Sequence, residues 1–179
     1  MIRGMNHAVL FVRDAERTAR FYREVLGFTD AYPPTHPGAR FLRAPASHND
    51  HDIGLFSIGE QAGPSAAGRS TVGLYHIAWE VETLGDLRDL ARRLSSVGAL
   101  GGASNHGTTK ALYAHDPDGL EFEITWVVPD DLLDDATRAA GGCVQPLDLE
   151  QEIARYGADT RGGPTRVTPG PQQVPAVAR

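Results

Sequence analysis

Three side chains that can bind a metal ion lie far apart in the 179-residue chain, each within an apolar stretch. They are His7 in MNHAVLFV, His76 in LYHIAWEV and Glu123 in DPDGLEFEIT. Such stretches predict buried strands, where a lone polar side chain costs free energy unless it has a partner. Two imidazoles and one carboxylate are also the ligands that hold a divalent metal and leave positions open for substrate and dioxygen. If the fold brings the three together, they form a metal-centred active site.

Composition and charge favour a globular enzyme or binding protein with one core. The apolar fraction of 41% and the charged fraction of 22% are typical of such proteins. A net charge of −6 argues against nucleic acid or an anionic membrane as the partner, and no apolar run approaches the ~20 residues that cross a bilayer. The N-terminus lacks a signal-peptide pattern and Cys143 cannot form an internal disulfide, so we expect a cytoplasmic protein.

The chain contains two copies of one β-α-β-β-β unit, at about residues 5–60 and 72–128. Each copy begins with an apolar strand that carries a histidine near its start, His7 or His76, and continues into an amphipathic helix that ends at a glycine. The sequence therefore predicts an α+β fold in which two paired βαβββ modules form a metal-containing cleft. The predicted strands are Met5–Val12, Phe28–Ala31, Ala39–Arg43, Asp52–Ile58, Leu74–Val81, Ala99–Ala103, Lys110–His115 and Leu120–Val128, and the helices span about Asp14–Leu26 and Leu84–Val97.

The two units are expected to form a single domain over residues 1–128. Gln61–Thr71 is small, polar and rich in helix breakers, which indicates a linker between the units. Residues 129–157 are expected to form a C-terminal extension with short helices. From residue 158 to 179 the chain is rich in Gly, Pro and Thr without periodicity, which predicts a disordered tail.

Paired modules, two strand histidines and a DPDG turn four residues before Glu123 give the chain a family resemblance. Over about Met5–Trp126 it resembles the vicinal oxygen chelate superfamily, also called the glyoxalase–bleomycin-resistance–dioxygenase fold. The resemblance implies that His7, His76 and Glu123 are the metal ligands. Strand alternation agrees for two of them, because it places His76 and Glu123 on the more polar faces of their strands.

The superfamily often supplies a fourth ligand from the last strand of the first module. The matching positions here, near Leu55 and Phe56, are apolar. Three protein ligands would leave about three coordination positions open, which favours a catalytic iron centre over the four-ligand site of a typical glyoxalase.

The segment Ser104–Glu123, SNHGTTKALYAHDPDGLEFE, resembles the small extradiol catechol dioxygenases. The resemblance implies an enzyme that uses Fe(II), or alternatively Mn(II), and dioxygen to open the ring of a small aromatic diol. It makes Tyr113 a hydrogen-bond donor to substrate or oxygen and His106 the acid–base group. An imidazole suits the second role because it can accept a catechol proton near neutral pH.

Two other functions stay open. One is a metal-dependent glutathione or thiol transferase or lyase of the glyoxalase or fosfomycin-resistance type, and the fosfomycin type uses the same His-His-Glu set. The fosfomycin type has a Thr where Val9 stands and an Arg where this chain has the acidic stretch Asp130–Asp135, and both departures count against it. A metal-free drug-binding protein of the bleomycin-resistance kind would not need the three ligand-type residues.

Several further side chains bear on the site. Glu121 points the same way as Glu123 and is expected nearer the rim. His48 and His51, in SHNDHD, are expected in a solvated loop.

The oligomeric state and the substrate stay open. An exposed sheet edge would give a reason for a homodimer. Both a catecholic amino acid and a simple substituted catechol remain open as substrates.

Overall fold

A computed structural model describes residues 1–2, 4–67 and 70–163, so residues 164–179 of the predicted tail lie outside the described part. Two mixed sheets carry the fold, with strand orders β1-β4-β3-β2 and β5-β8-β7-β6-β9. The strands are β1 Ala8–Val12, β2 Thr29–Asp30, β3 Ala39–Arg43, β4 Ile53–Ser57, β5 Ile77–Glu80, β6 Leu100–Asn105, β7 Thr109–His115, β8 Glu121–Val127 and β9 Gln145–Pro146. The helices are α1 Ala15–Glu24, α2 Leu84–Ser96, α3 Asp135–Ala139 and α4 Leu149–Tyr156, with a 3₁₀ turn at Asp130–Leu132.

The predicted α+β architecture of two βαβββ modules is confirmed. In each module the first strand pairs in parallel with the last, β1 with β4 and β5 with β8, and the other pairs are antiparallel. Side-chain caps begin both long helices where the sequence placed them: the Asp14 carboxylate accepts from two backbone N–H groups, and Thr83 and Asp86 form a capping box. No helix in the described ranges is both long enough and apolar enough to span a membrane.

The two modules share one hydrophobic core, because α1 packs against the second sheet. The ring of Tyr22 lies 6.1 Å from that of Phe122 and 6.4 Å from that of Trp79, centroid to centroid, and Phe28 lies 5.0 Å from Trp79. Strand alternation places the side chains of His76, Glu123 and Tyr113 on the opposite face of the second sheet, away from this core. The shared core therefore fixes the second sheet against the first module and leaves its polar face for the site.

Asp118 of the DPDG turn joins the modules electrostatically. Its side chain, 7% exposed, accepts from Nη1 of Arg13 at 2.8 Å, from the backbone N–H of Arg13 at 2.9 Å and from Nη2 of Arg17 at 2.6 Å. Charge-assisted bonds are among the stronger polar contacts in proteins, and the carboxylate that accepts these is buried although Arg17 is partly exposed. The turn thus anchors the β7–β8 hairpin to the start of α1.

We expect Asp118→Asn to lower the free energy of unfolding by about 1–3 kcal/mol, because it removes the charge that two arginines share. Urea denaturation measures this. Glu60→Gln is the matched control, since Glu60 pairs with the same Arg17 at 3.6 Å from an exposed position. The control should change stability by less than about 0.5 kcal/mol, and equal effects of the two variants would contradict the anchoring role.

Candidate functional site

His76 and Glu123 are brought into direct contact at the polar face of the second sheet. Nε2 of His76 lies 3.0 Å from Oε2 of Glu123, and Nδ1 lies 3.6 Å from Oε1 of Glu121. The parallel register that pairs Ala78 with Glu123 explains the contact, since His76 is two residues before Ala78 on the same face. One imidazole therefore lies between two half-buried carboxylates.

His7 is not in contact with this pair. It is exposed, just before β1, where its Nδ1 lies 2.7 Å from the Asn6 side-chain oxygen and its ring lies 4.3 Å from that of His51. The prediction of a buried strand position is wrong for His7. Strand β1 pairs with β4 only from Ala8 onward, and β1 is an edge strand of its sheet. Within the described ranges, no group of three or more His, Cys, Asp or Glu side chains is arranged to hold a metal ion.

His51 is a neighbour of His7 that the sequence reasoning missed. It was expected in a solvated loop, yet its ring contacts Phe41 at 5.2 Å as well as His7, and its side chain is 14% exposed. The sequence feature that could have indicated this position is the density of His, Asn and Asp in SHNDHD, just before β4. His48 of the same segment is exposed, as expected.

Tyr113 and His106 form a hydrogen-bonded pair beside His76. The Tyr113 hydroxyl lies 3.0 Å from Nε2 of His106, and the rings of Tyr113 and His76 are 6.0 Å apart. On its other side, Nδ1 of His106 lies 2.9 Å from the backbone carbonyl of Cys143. Because a carbonyl oxygen can only accept, Nδ1 carries the proton, and the neutral ring then accepts the Tyr113 hydroxyl at Nε2.

The surroundings of Tyr113 keep its hydroxyl protonated. Burial raises the pKa of Tyr113 above its ordinary value, and the negative charge of Glu123 acts in the same direction. Glu123 lies directly across from Tyr113 in the β7–β8 ladder. The hydroxyl is therefore a proton donor at neutral pH.

A cavity of about 680 Å³ opens at the seam between the two sheets. Its wall is mainly apolar, with Val9 and Phe11 on one side and Leu74 and Leu120 on the other, and Glu121 belongs to the wall. His115, which attracted no prediction, also lines the cavity and lies 3.8 Å from Glu121. Glu121 is the link between the cavity and the site, because its Oε1 also lies 3.6 Å from Nδ1 of His76. Among the described residues, His76, Glu123, Tyr113 and His106 are not part of the cavity wall.

The donor atoms around His76 fit a divalent metal ion. Nδ1 of His76 and Oε1 of Glu121 are buried atoms without a hydrogen-bond partner, and such atoms are rare unless a ligand, an ion or water satisfies them. Imidazole nitrogen and carboxylate oxygen are the donors that iron(II) and manganese(II) accept. The unpartnered atoms belong to His76 and Glu121, while the Glu123 carboxylate lies 3.0 Å from the other nitrogen of His76. His76 and a neighbouring carboxylate could supply two ligands, and His7 would have to join them as the third.

Comparison with known proteins identifies the family of the chain. Residues 4–124 match the family model described as the Glyoxalase/Bleomycin resistance protein/Dioxygenase superfamily. A curated relative, biphenyl-2,3-diol 1,2-dioxygenase 3 of Rhodococcus globerulus, is 34% identical over 124 residues. The alignment covers 66% of this chain and 60% of the relative, so the chain spans less than two thirds of the length of that protein.

Solved structures show the same fold. A glyoxylase/bleomycin resistance protein/dioxygenase domain from Frankia sp. EAN1pec is 24% identical and superposes with a TM-score of 0.58, covering 71% of this chain and 93% of that one. A fosfomycin resistance protein from Mesorhizobium loti is 23% identical with a TM-score of 0.51, covering 70% and 92%. At these identities the structures establish the fold and leave the chemistry open.

Proposed function

Because the chain belongs to the Glyoxalase/Bleomycin resistance protein/Dioxygenase superfamily, we propose that it is an Fe(II)-dependent extradiol dioxygenase that opens a catechol ring. The observation that carries the proposal is the Tyr113–His106 pair, which lies beside His76 and is connected for proton transfer. The sequence likeness to a biphenyl-diol dioxygenase supports the same chemistry.

The metal ligands in this proposal are His7, His76 and Glu123. His76 and Glu123 are already in contact, whereas His7 has to leave its neighbours Asn6 and His51. Leaving Asn6 would break one hydrogen bond of the exposed His7, and such a bond contributes about 0.5–1.5 kcal/mol. When bound, iron(II) would lower the pKa of the catechol hydroxyls and hold the diol next to dioxygen.

Tyr113 and His106 supply the proton path. A catechol at the site would lose a hydroxyl proton to the Tyr113 oxygen as the Tyr113 hydroxyl proton passes to Nε2 of His106. His106 then carries protons on both nitrogens, and the Cys143 carbonyl stabilises the charge at Nδ1. Return of the proton along the same path would supply the acid that the ring-opening step requires.

The cavity supports an aromatic substrate. Its apolar wall favours a ring system, and burying the ammonium and carboxylate of an amino acid against that wall would cost free energy. Of the two substrate types that the sequence left open, the lining therefore favours a catechol with an apolar substituent over a catecholic amino acid.

The test is an oxygen-electrode assay on anaerobically iron-loaded protein with catechol, an alkyl- or aryl-substituted catechol and a catecholic amino acid. We expect oxygen uptake with a yellow ring-opened product, fastest for the apolar substituent. A parallel assay with Mn(II), glutathione and fosfomycin addresses the rival chemistry. A thiol adduct formed there, with no oxygen uptake in the first assay, would replace the dioxygenase proposal with a thiol transferase.

His7→Ala tests the third ligand. We expect the iron bound per chain to fall by at least about 10-fold, since loss of a group that only supports a ligand already costs about 10–100-fold in metal affinity. His51→Ala is the matched control, because it removes the ring stacked on His7 without removing a proposed ligand. Full iron occupancy in His7→Ala, measured by elemental analysis, would remove His7 from the ligand set.

A further inference from the structure

The part of the chain that follows the region matched by the family model packs against the loop that contains His106. The family match ends at residue 124, whereas Asp130–Tyr156 folds back onto the end of β6 and the turn after it. We name Asp130–Tyr156 the C-terminal extension. It touches the residues on both sides of His106 and His106 itself, through four separate contacts.

The first two contacts involve the backbone. Strand β9 extends the second sheet by pairing with Ser104 and Asn105, the two residues before His106. The carbonyl of Cys143, two residues before β9, accepts the Nδ1–H of His106 at 2.9 Å. The extension therefore selects which ring nitrogen carries the proton and directs the lone pair of Nε2 at Tyr113.

The third contact fixes the turn after His106. Gly107 has a φ of +76°, and a Cβ added there would lie 2.7 Å from both the Ala140 carbonyl carbon and the Thr137 carbonyl oxygen. The end of α3 thus lies directly against the turn, and only glycine fits the conformation and the space. This packing limits where the His106 backbone can move.

The fourth contact is a buried ion pair below the turn. Nζ of Lys110, 1% exposed, lies 3.2 Å from Oε2 of Glu152 on α4. The same ammonium donates to the Asn105 side-chain oxygen at 2.8 Å and to the Gly107 carbonyl at 3.0 Å. Asn105 completes the network, since its amide donates to Glu152 and its oxygen accepts from the Gly107 N–H.

A buried ion pair is costly unless its geometry is good and its remaining hydrogen bonds are satisfied. Burial lowers the pKa of Lys110, and the negative charge of Glu152 opposes that shift. Replacement of such pairs by apolar residues often leaves stability unchanged, and in some proteins a buried polar group instead fixes one conformation. Here the ammonium of Lys110 holds Asn105 and Gly107, the two residues that flank His106.

We propose that the C-terminal extension is part of the active site, where the Cys143 carbonyl and Glu152, the latter through its ion pair with Lys110 of β7, position His106 and fix its tautomer. These are positioning groups, because their contacts are with His106 or with Asn105 and Gly107 beside it. The inference rests on the proposed function for its catalytic consequence, but the tautomer of His106 can be measured without any activity.

The experiment compares Glu152→Gln with the wild type in two measurements. Long-range proton–nitrogen NMR of histidine-labelled, metal-free protein at pH 8 reports the His106 tautomer, and His106→Phe identifies its signals. We expect one tautomer with the proton on Nδ1 in the wild type and a mixture of both in Glu152→Gln. Once the wild type is shown to cleave a catechol, the kcat of Glu152→Gln should be about 10–100-fold lower than that of the wild type, and its KM should stay within about twofold.

Glu150→Gln is the matched control, because Glu150 lies two residues away on α4 and pairs with the exposed Arg92 at 3.7 Å. It should leave tautomer and kcat unchanged. If Glu152→Gln does not fold, Asn105→Ala decides, since it removes the hydrogen bonds from Lys110 and Gly107 while leaving the ion pair. A single unchanged tautomer in the variant that folds would overturn the positioning role, whatever reaction the protein catalyses.

Discussion

His76→Ala will lose iron and activity together. In the proposed three-ligand set no side chain can be spared, and His76 is also the group that lies between Glu121 and Glu123. We expect metal affinity to fall by at least about 100-fold, the upper end of what loss of a merely supporting group costs. Elemental analysis after desalting and oxygen uptake at saturating catechol measure the two effects.

His48→Ala is the control for this experiment, because His48 is an exposed histidine of the first module. It should keep iron and turnover within about twofold of the wild type. A His76→Ala protein with one equivalent of iron and full turnover would remove His76 from the ligand set and, with it, the proposed centre.

His106→Phe is expected to keep its iron and lose most of its rate. A positioned general acid–base group contributes about 10²–10⁴-fold, and Nε2 of His106 is the acceptor for the Tyr113 hydroxyl. Single-turnover measurement of product formation with iron-loaded protein isolates the chemical step from binding. His36→Phe, at an exposed position, is the control and should turn over normally.

A double-variant cycle sharpens the second prediction. If the proton passes from Tyr113 to His106, the two residues act as one unit, so Tyr113→Phe with His106→Phe should be little slower than the slower single variant. Multiplication of the two single effects would show independent roles and contradict the shared proton path.

The sequence predicted the fold well because its signals are local. Asp14 and Thr83 mark the starts of both long helices, alternating apolar residues mark the strands, and the family match confirms the predicted superfamily resemblance. Alternation also places His76 and Glu123 on one face, and the structure puts their side chains 3.0 Å apart. Periodicity predicts the face on which each side chain lies, and the contact itself also requires the parallel β5–β8 register.

What the sequence could not predict depends on contacts between distant segments. Nothing local indicates that the Cys143 carbonyl meets His106, or that Glu152 on α4 pairs with Lys110 on β7, because each joins residues 37 or more positions apart. The exposure of His7 likewise depends on where β1 begins to pair with β4. The repeat predicts equivalent places for His7 and His76, but it does not determine the side-chain contacts of either.

Ring cleavage under labelled dioxygen is the measurement that tests the central claim most directly. Iron-loaded protein is given an apolar-substituted catechol and ¹⁸O₂, and the product is analysed by mass spectrometry without delay. Extradiol cleavage adds both oxygen atoms to the opened ring, and we expect label in the new carboxylate, which does not exchange with water. A product with an intact ring, or an opened ring without label, would contradict the dioxygenase account.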